Sequence, residues 1–204
     1  VSLAGRFGVN RHTIRRALAE MAQDGLVHSR RGAGVFVTTK PTDYAIGQRV
    51  RFHQNLRAAG RTPEKQILMT ETRNAAEKEA LALQIAPGEA VHVYEGLSLA
   101  DGQPIATFRS IFSAQRFPDF LTHLLQTQSV TSALRKEGID DYIRATTRLT
   151  AKQANATQAL HLRISEGAPI LRTVSVNVDM NSRPIEYGHS WFAGDRVTLT
   201  VYNP

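Results

Sequence analysis

Apolar residues recur at helical spacing near the start of the chain. Ile14, Ala17, Leu18 and Met21 fall at i, i+3, i+4 and i+7, one face of a helix. Asn10 is placed to cap its start, and Gly25, after Asp24, to stop it. Upstream, Leu3 and Phe7 share a face of a shorter helix that Gly8 ends, and Val9 fills the turn between the two helices. The stretch "GLVHSRRGAGVFV" then predicts a strand (Leu26–His28), a glycine-rich turn (Arg30–Gly34) and a second strand (Val35–Val37). The order is helix, turn, helix, hairpin.

The pattern changes after residue 40. "TTKPTDYAIGQ" has little periodicity, and residues 41–47 read as a linker. "RVRFHQNLRAAG" reads as a helix ending at Gly60. The segment 79–112 then aligns with 158–192 as an internal repeat: Ala80-Leu81 with Ala159-Leu160, Leu83 with Leu162, Ile85 with Ile164, and Gly88 with Gly167. Each unit predicts a short helix, a glycine turn and a long hairpin, with Asp101-Gly102 and Asn181-Ser182 at the hairpin tips. "VTSALRKEGI" and "TAKQANATQALHL" supply further helices. The fold class is α+β: an antiparallel sheet built from two related hairpins, flanked by helices, with a cleft expected between the halves.

Charge sharpens the division. The net charge is +7 over 204 residues. Residues 1–40 carry seven bases and two acids, whereas residues 41–204 carry eighteen bases and sixteen acids. A focused basic module beside a near-neutral one points to a polyanion partner for the first. There is no cysteine, so disulfides and thiolate metal sites are excluded; the composition fits a reducing, cytoplasmic setting. No apolar run is long enough to span a membrane, so no membrane partner is expected. Metal-protease, P-loop and nucleophile-elbow motifs are absent, and no cofactor or metal is expected.

The basic residues concentrate where a helix-turn-helix would meet DNA. Arg11, His12 and Thr13 occupy the first turn of the second helix, and Arg15 and Arg16 the next. From there they reach base edges or phosphates in the major groove, and the helix N-terminus itself favours phosphate. A solvated amphipathic helix with incidental arginines explains this helix alone equally well. The hairpin decides between the two readings. Arg30 and Arg31 stand at its tip, and Gly32 and Gly34 let the backbone approach another surface. A basic wing directly after such a helix is far more specific than either part.

"LAGRFGVNRHTIRRALAEMAQDGLVHSRRGAGVFV" resembles the winged-helix domain of GntR-type bacterial transcription regulators. The resemblance implies that Arg11 and Arg15 are the recognition-helix arginines, that Thr13 contacts the DNA backbone, and that Arg31-Gly32 is the wing tip in the minor groove. Asn10 replaces the family's usual serine and caps equally well. The family's first helix would lie upstream of Val1. The duplicated half resembles the UTRA domain, the chorismate-lyase-like sensor of the HutC subfamily, here over residues 48–204. "DYAIGQRVRFHQNLRAAGRTP" is closer still to the phosphonate-utilisation regulators of that subfamily.

For the sensor, the resemblance points to Phe52 and His53 at the start of the first helix, to Arg144 and Arg148 in "IRATTR", and to Glu186 and Phe192 in "PIEYGHSWF". Arg109 lies on a hairpin strand beside the expected cleft. On an extended segment Arg144 and Arg148 would share a face and fork an oxyanion. Each of these residues is equally well explained as a surface ion pair or a satisfied polar group. Relatives that sense sugar phosphates carry arginines where this chain has Gly96 and Ser98. The resulting expectation is a homodimeric, ligand-responsive repressor that binds a two-fold symmetric double-stranded DNA operator and a small anionic, phosphonate- or phosphate-like effector. Its rivals are a chorismate-lyase-like enzyme and an architectural DNA-binding protein without an effector.

Overall fold

The computed structural model describes residues 3–24, 26–30, 34–37, 41–49 and 52–201. The chain divides into two compact units, Val1–Lys40 and Pro41–Pro204.

In the first unit, helix α1 (Leu3–Phe7) leads to α2 (Arg11–Gln23), then to strands β1 (Val27–Arg30) and β2 (Gly34–Val37). Gly8 takes φ +61°, a left-handed conformation in which a Cβ would be strained, and this lets α1 end. The Asn10 side chain accepts a hydrogen bond of 2.9 Å from the backbone N–H of His12, capping α2 as its residue type predicts. Asp24 closes the helix. The hairpin pairs antiparallel from Val27 opposite Val37 to Arg30 opposite Gly34. Its first strand thus starts one residue later and ends two residues later than the expected Leu26–His28. The expected helix stop at Gly25 and the wing-tip residues Arg31 and Gly32 lie outside the described residues.

In the second unit, the segment expected as a linker, residues 41–47, is largely a strand. β3 (Thr42–Ile46) pairs in parallel with β10 (Val197–Val201), and Thr42, Tyr44 and Ile46 are buried at alternate positions. Its inward period of two is short and flanked by Pro41 and Gly47, which masks it as loop in the sequence. Helix α3 (Phe52–Ala58) follows. The two repeats are β4 (Pro63–Asn74), α4 (Glu77–Leu83), β5 (Ala90–Ala100), β6 (Gln103–Ser113), and β7 (Tyr142–Gln153), α7 (Ala156–Leu162), β8 (Pro169–Asp179), β9 (Pro184–Ala193). Helices α5 (Phe120–Thr127) and α6 (Val130–Lys136) connect them.

Each repeat therefore begins with a strand that the helix-and-hairpin reading lacked. Residues Thr150–Gln153, expected as the start of a helix, belong to β7, and α7 begins only after Asn155, whose side chain accepts from the Gln158 N–H at 2.9 Å. The six long strands form one antiparallel sheet in the order β4-β5-β6-β9-β8-β7. The halves join where β6 meets β9, from Ala106 opposite Phe192 to Ile111 opposite Tyr187. Asp101 and Gly102 both take positive φ at the first hairpin tip, the conformation a two-residue primed turn requires.

One face of this sheet packs on α4 and α7, with Leu83 against Val91, Val93 and Ile111, and Leu162 against Ile170 and Ala193. The opposite face carries two separate cores. Tyr94, Phe112, Phe120, Leu124 and Leu134 join it to α5 and α6. Leu56 of α3, Tyr44 of β3, Ile105, Phe192 and Val197 form the other. Both cores stand on the same face, which leaves a trough between them.

Candidate functional sites

The trough is a cleft of about 820 Å³. Its floor comes from alternate residues of the sheet: Ser98 on β5, Phe108 and Ser110 on β6, Asn177 on β8, Glu186 and Ser190 on β9. Phe52 and His53 of α3 and Tyr44 of β3 form one wall, and the α5–α6 junction, Thr127–Ser132, forms the other.

A hydrogen-bonded chain runs across the floor. Ser110 Oγ donates to Glu186 Oε1 at 2.6 Å. Asn177 Nδ2 donates to Glu186 Oε2 at 2.6 Å, and Asn177 Oδ1 accepts from Arg144 Nε at 3.0 Å. Glu186 thus has a donor on each oxygen, and among the described residues the two terminal nitrogens of Arg144 have no acceptor. The arrangement positions a guanidinium end and a carboxylate in one polar floor without joining them in a direct ion pair.

The walls are chemically mixed. The Tyr44 hydroxyl is pushed up to about 12 by burial, with Arg144 and a hydrogen bond to Asn55 opposing. His53 is held below its ordinary value by burial first, then by the cations of Lys65 and Arg57, so the neutral ring is favoured. At the rim, Arg49 donates to Asp141 Oδ2 at 2.7 Å.

Of the residues expected to bind a ligand, the structure brings Phe52, His53, Arg144, Glu186 and Phe192 to this cleft. It does not bring Arg109 or Arg148. On β6, Ala106, Phe108 and Ser110 face the cleft, so Arg109 points from the other side, where it pairs with Glu95 and lies opposite His189. Arg148 is displaced by a β-bulge. Arg144 lies opposite Asn177, but Thr146 already lies opposite Val176, so Ala145 is an extra residue. Beyond it Arg148 faces Val174, on the opposite face from Asn177, and is exposed. The expectation that the two arginines share a face fails on that single inserted residue.

Ser110, Asn177 and Lys65 are among the cleft residues that the sequence did not reveal. Thr173, Ser175 and Asn177 alternate with valines along β8, a pattern that ordinarily means a solvated outer face; here all three are buried, and Asn177 lines the cleft.

On α2 of the first unit, Arg11, His12, Thr13, Arg15 and Arg16 are all exposed, while Ile14, Ala17, Leu18 and Met21 are partly buried. Arg16 is committed to an i,i+4 ion pair with Glu20 at 3.0 Å, worth about 0.3–0.5 kcal/mol at such exposure. The backbone of Arg30 ends β1.

Comparison with known proteins agrees with this division. The family of bacterial regulatory proteins called gntR matches residues 1–37, and the UTRA domain matches residues 58–198. An uncharacterized HTH-type transcriptional regulator of Rhizobium meliloti (strain 1021) is 38% identical over 201 residues, covering 98% of this chain and 82% of the relative. The probable transcriptional regulator PhnF of Escherichia coli (strain K12) is 33% identical, covering 98% of this chain and 83% of that protein. The crystal structure of PhnF from Mycobacterium smegmatis matches with a TM-score of 0.74 at 25% identity, over 98% of this chain and 88% of that one.

Proposed function

The chain belongs to the GntR family of bacterial regulatory proteins and carries a UTRA domain, and from that premise we propose a homodimeric repressor released from a two-fold symmetric operator by a small phosphonate- or phosphate-like anion. The chain is a ligand-responsive, DNA-binding transcription regulator of the HutC type, and not an enzyme. The fold is the winged helix-turn-helix joined to a chorismate-lyase-like sensor.

The observation that carries the effector reading is the chain Arg144–Asn177–Glu186–Ser110 on the cleft floor. Arg144 offers a guanidinium edge to an oxyanion, and Glu186 accepts from a donor group on the same molecule. A ligand carrying both functions gains from both ends of the floor. Arg109 and Arg148 take no part.

For DNA, Arg11, His12, Thr13 and Arg15 are the contacts on α2, with Arg16 as a phosphate contact once it leaves Glu20, and with Arg30, Arg31 and Gly32 in the wing. The exposure of the α2 residues, all on one helix end, supports this reading. Two copies double the base contacts that one small module can make, which favours a homodimer on a symmetric site.

Coupling has a physical route. The chain leaves the first unit and enters β3, whose Tyr44 lines the effector cleft and whose ring lies 5.4 Å from that of Phe192. A ligand that prefers one placement of Tyr44 biases the strand from which the DNA-binding unit continues. Only such differential affinity shifts an equilibrium. Release of a labelled operator on addition of methylphosphonate, inorganic phosphate or a phosphate monoester tests the proposal; a saturable release supports it, and operator binding indifferent to all three counts against the effector class.

A further inference from the structure

Lys65 stands on β4 at the cleft wall, between the two cores. Its Nζ lies 4.4 Å from the ring centroid of Phe108, 5.3 Å from that of Phe52 and 5.8 Å from that of Tyr94. Among the described residues it makes no hydrogen bond and no ion pair. An ammonium has three donors to satisfy. Aromatic faces offset part of its lost hydration but accept none of those hydrogen bonds in the ordinary sense. The carboxylate whose charge reaches it, Glu186, already takes donors from Ser110 and Asn177.

Two further observations converge on the same spot. The hydroxyl of Tyr94, whose ring is part of the cage, is buried and has no hydrogen-bond partner among the described residues. Gly96 lies beneath: a Cβ there would stand 2.4 Å from the carbonyl oxygen of Gln66 and 2.7 Å from the Phe108 ring. Any larger residue would push Phe108 out from under the ammonium. The absence of a side chain at position 96 is what allows the cage to form around Lys65.

We propose that Lys65, framed by Phe52, Tyr94 and Phe108, is the second cationic contact of the effector, taking an oxyanion head group that Arg144 alone would not orient. This rests on the reading of the cleft as the effector site. The lysine supplies the charge, and the aromatic cage keeps water from competing for it. Burial holds the amine down to about 8, with Glu186 opposing, and an arriving anion favours its charged form. His53 on α3 and Tyr94 on β5 also stand near it, and neither supplies a counter-charge.

The test uses the full chain with three probes: inorganic phosphate, methylphosphonate and acetate. Calorimetric titration is run on the unsubstituted protein, Lys65→Met, Arg144→Ala and Arg148→Ala. Methionine fills the same aromatic cage without a charge. Binding of at least one probe, weakened tenfold or more in Lys65→Met and unchanged in Arg148→Ala, is the expected result. A second readout needs no variant: acetylation of Lys65 by an activated ester, followed by peptide mass spectrometry, slows when the bound probe is present. Unchanged affinity in Lys65→Met with loss in Arg144→Ala, and no protection of Lys65, overturns the role of the lysine and leaves the cleft as the effector site. No binding of any probe, with Lys65 acetylated equally fast throughout, overturns both. Should Lys65→Met fail to fold, the protection experiment decides.

Discussion

Asn177 and Glu186 lie on neighbouring strands, and the asparagine amide donates to the carboxylate at 2.6 Å while its carbonyl holds Arg144. One side chain thus fixes both charged groups of the cleft floor at once. Replacing Asn177 by alanine leaves Glu186 short of a donor and frees Arg144. The expected outcome is a loss of about 1–3 kcal/mol of stability, the usual cost of breaking a buried hydrogen bond to a charged group. Effector affinity falls with it. Chemical denaturation beside calorimetry checks both. A variant as stable as the parent, with unaltered ligand affinity, would show that the chain is incidental.

Arg144 and Arg148 give a paired prediction, because the bulge at Ala145 places them on opposite faces of one strand. Arg144→Ala is expected to abolish the response to effector while leaving operator affinity without effector nearly intact. Arg148→Ala is expected to respond at normal effector concentrations. An operator-release titration of the two variants side by side reads the difference, and equal loss in both would mean that the register of β7 differs in solution.

Much of this architecture can be read from residue order alone. The repeat is carried by matched glycines, alanines and leucines, because both halves need the same helix packed on the same hairpin. The edge strands β4 and β7 are not legible that way. Their outer positions carry charges, as in "PEKQILMTETRN", and edge strands show no continuous apolar run. The bulge is equally hidden, since "IRATTR" contains no glycine or proline to announce it. Lys65 escaped because its partners, Phe52, Tyr94 and Phe108, come from three separate elements and meet only in the fold.

Stability should depend on pH through Lys65. Its folded value is depressed, so between about 8 and 10.5 the unfolded chain binds more protons, and stability rises with pH across that window. Below about 8 the penalty of burying the charged amine is fully present. Lys65→Met removes it. The expected gain at pH 7 is of the order of 1–2 kcal/mol, discounted for partial exposure, and the rise with pH through Lys65 disappears. Urea unfolding at pH 7 and pH 9.5 measures both; a variant less stable than the parent at pH 7 would contradict the burial cost.

The DNA-binding surface separates by salt dependence. Arg11→Ala should cost about 1–3 kcal/mol and relax specificity if the side chain reads a guanine. Arg15→Ala should weaken binding to all sequences and reduce the salt slope by about 0.9, the signature of one lost phosphate contact. Operator titrations at several salt concentrations distinguish the two. Unaltered affinity in both variants would place the contact surface away from α2.

Homodimerisation is read by sedimentation of the full chain at micromolar concentration. A dimer with or without operator fits a two-fold symmetric site. A monomer that binds a single half-site would contradict it.

Control of a separate DNA-binding unit by the floor of one cleft is the relationship on which the proposed function stands. Its most direct measurement is operator affinity of the unsubstituted protein and of Arg144→Ala across a titration of methylphosphonate or inorganic phosphate. The expected result is a saturable fall in the parent's operator affinity, at the concentration where calorimetry shows the anion bind, and a flat line for Arg144→Ala. Anion binding in the cleft with operator affinity unmoved in both proteins would contradict it.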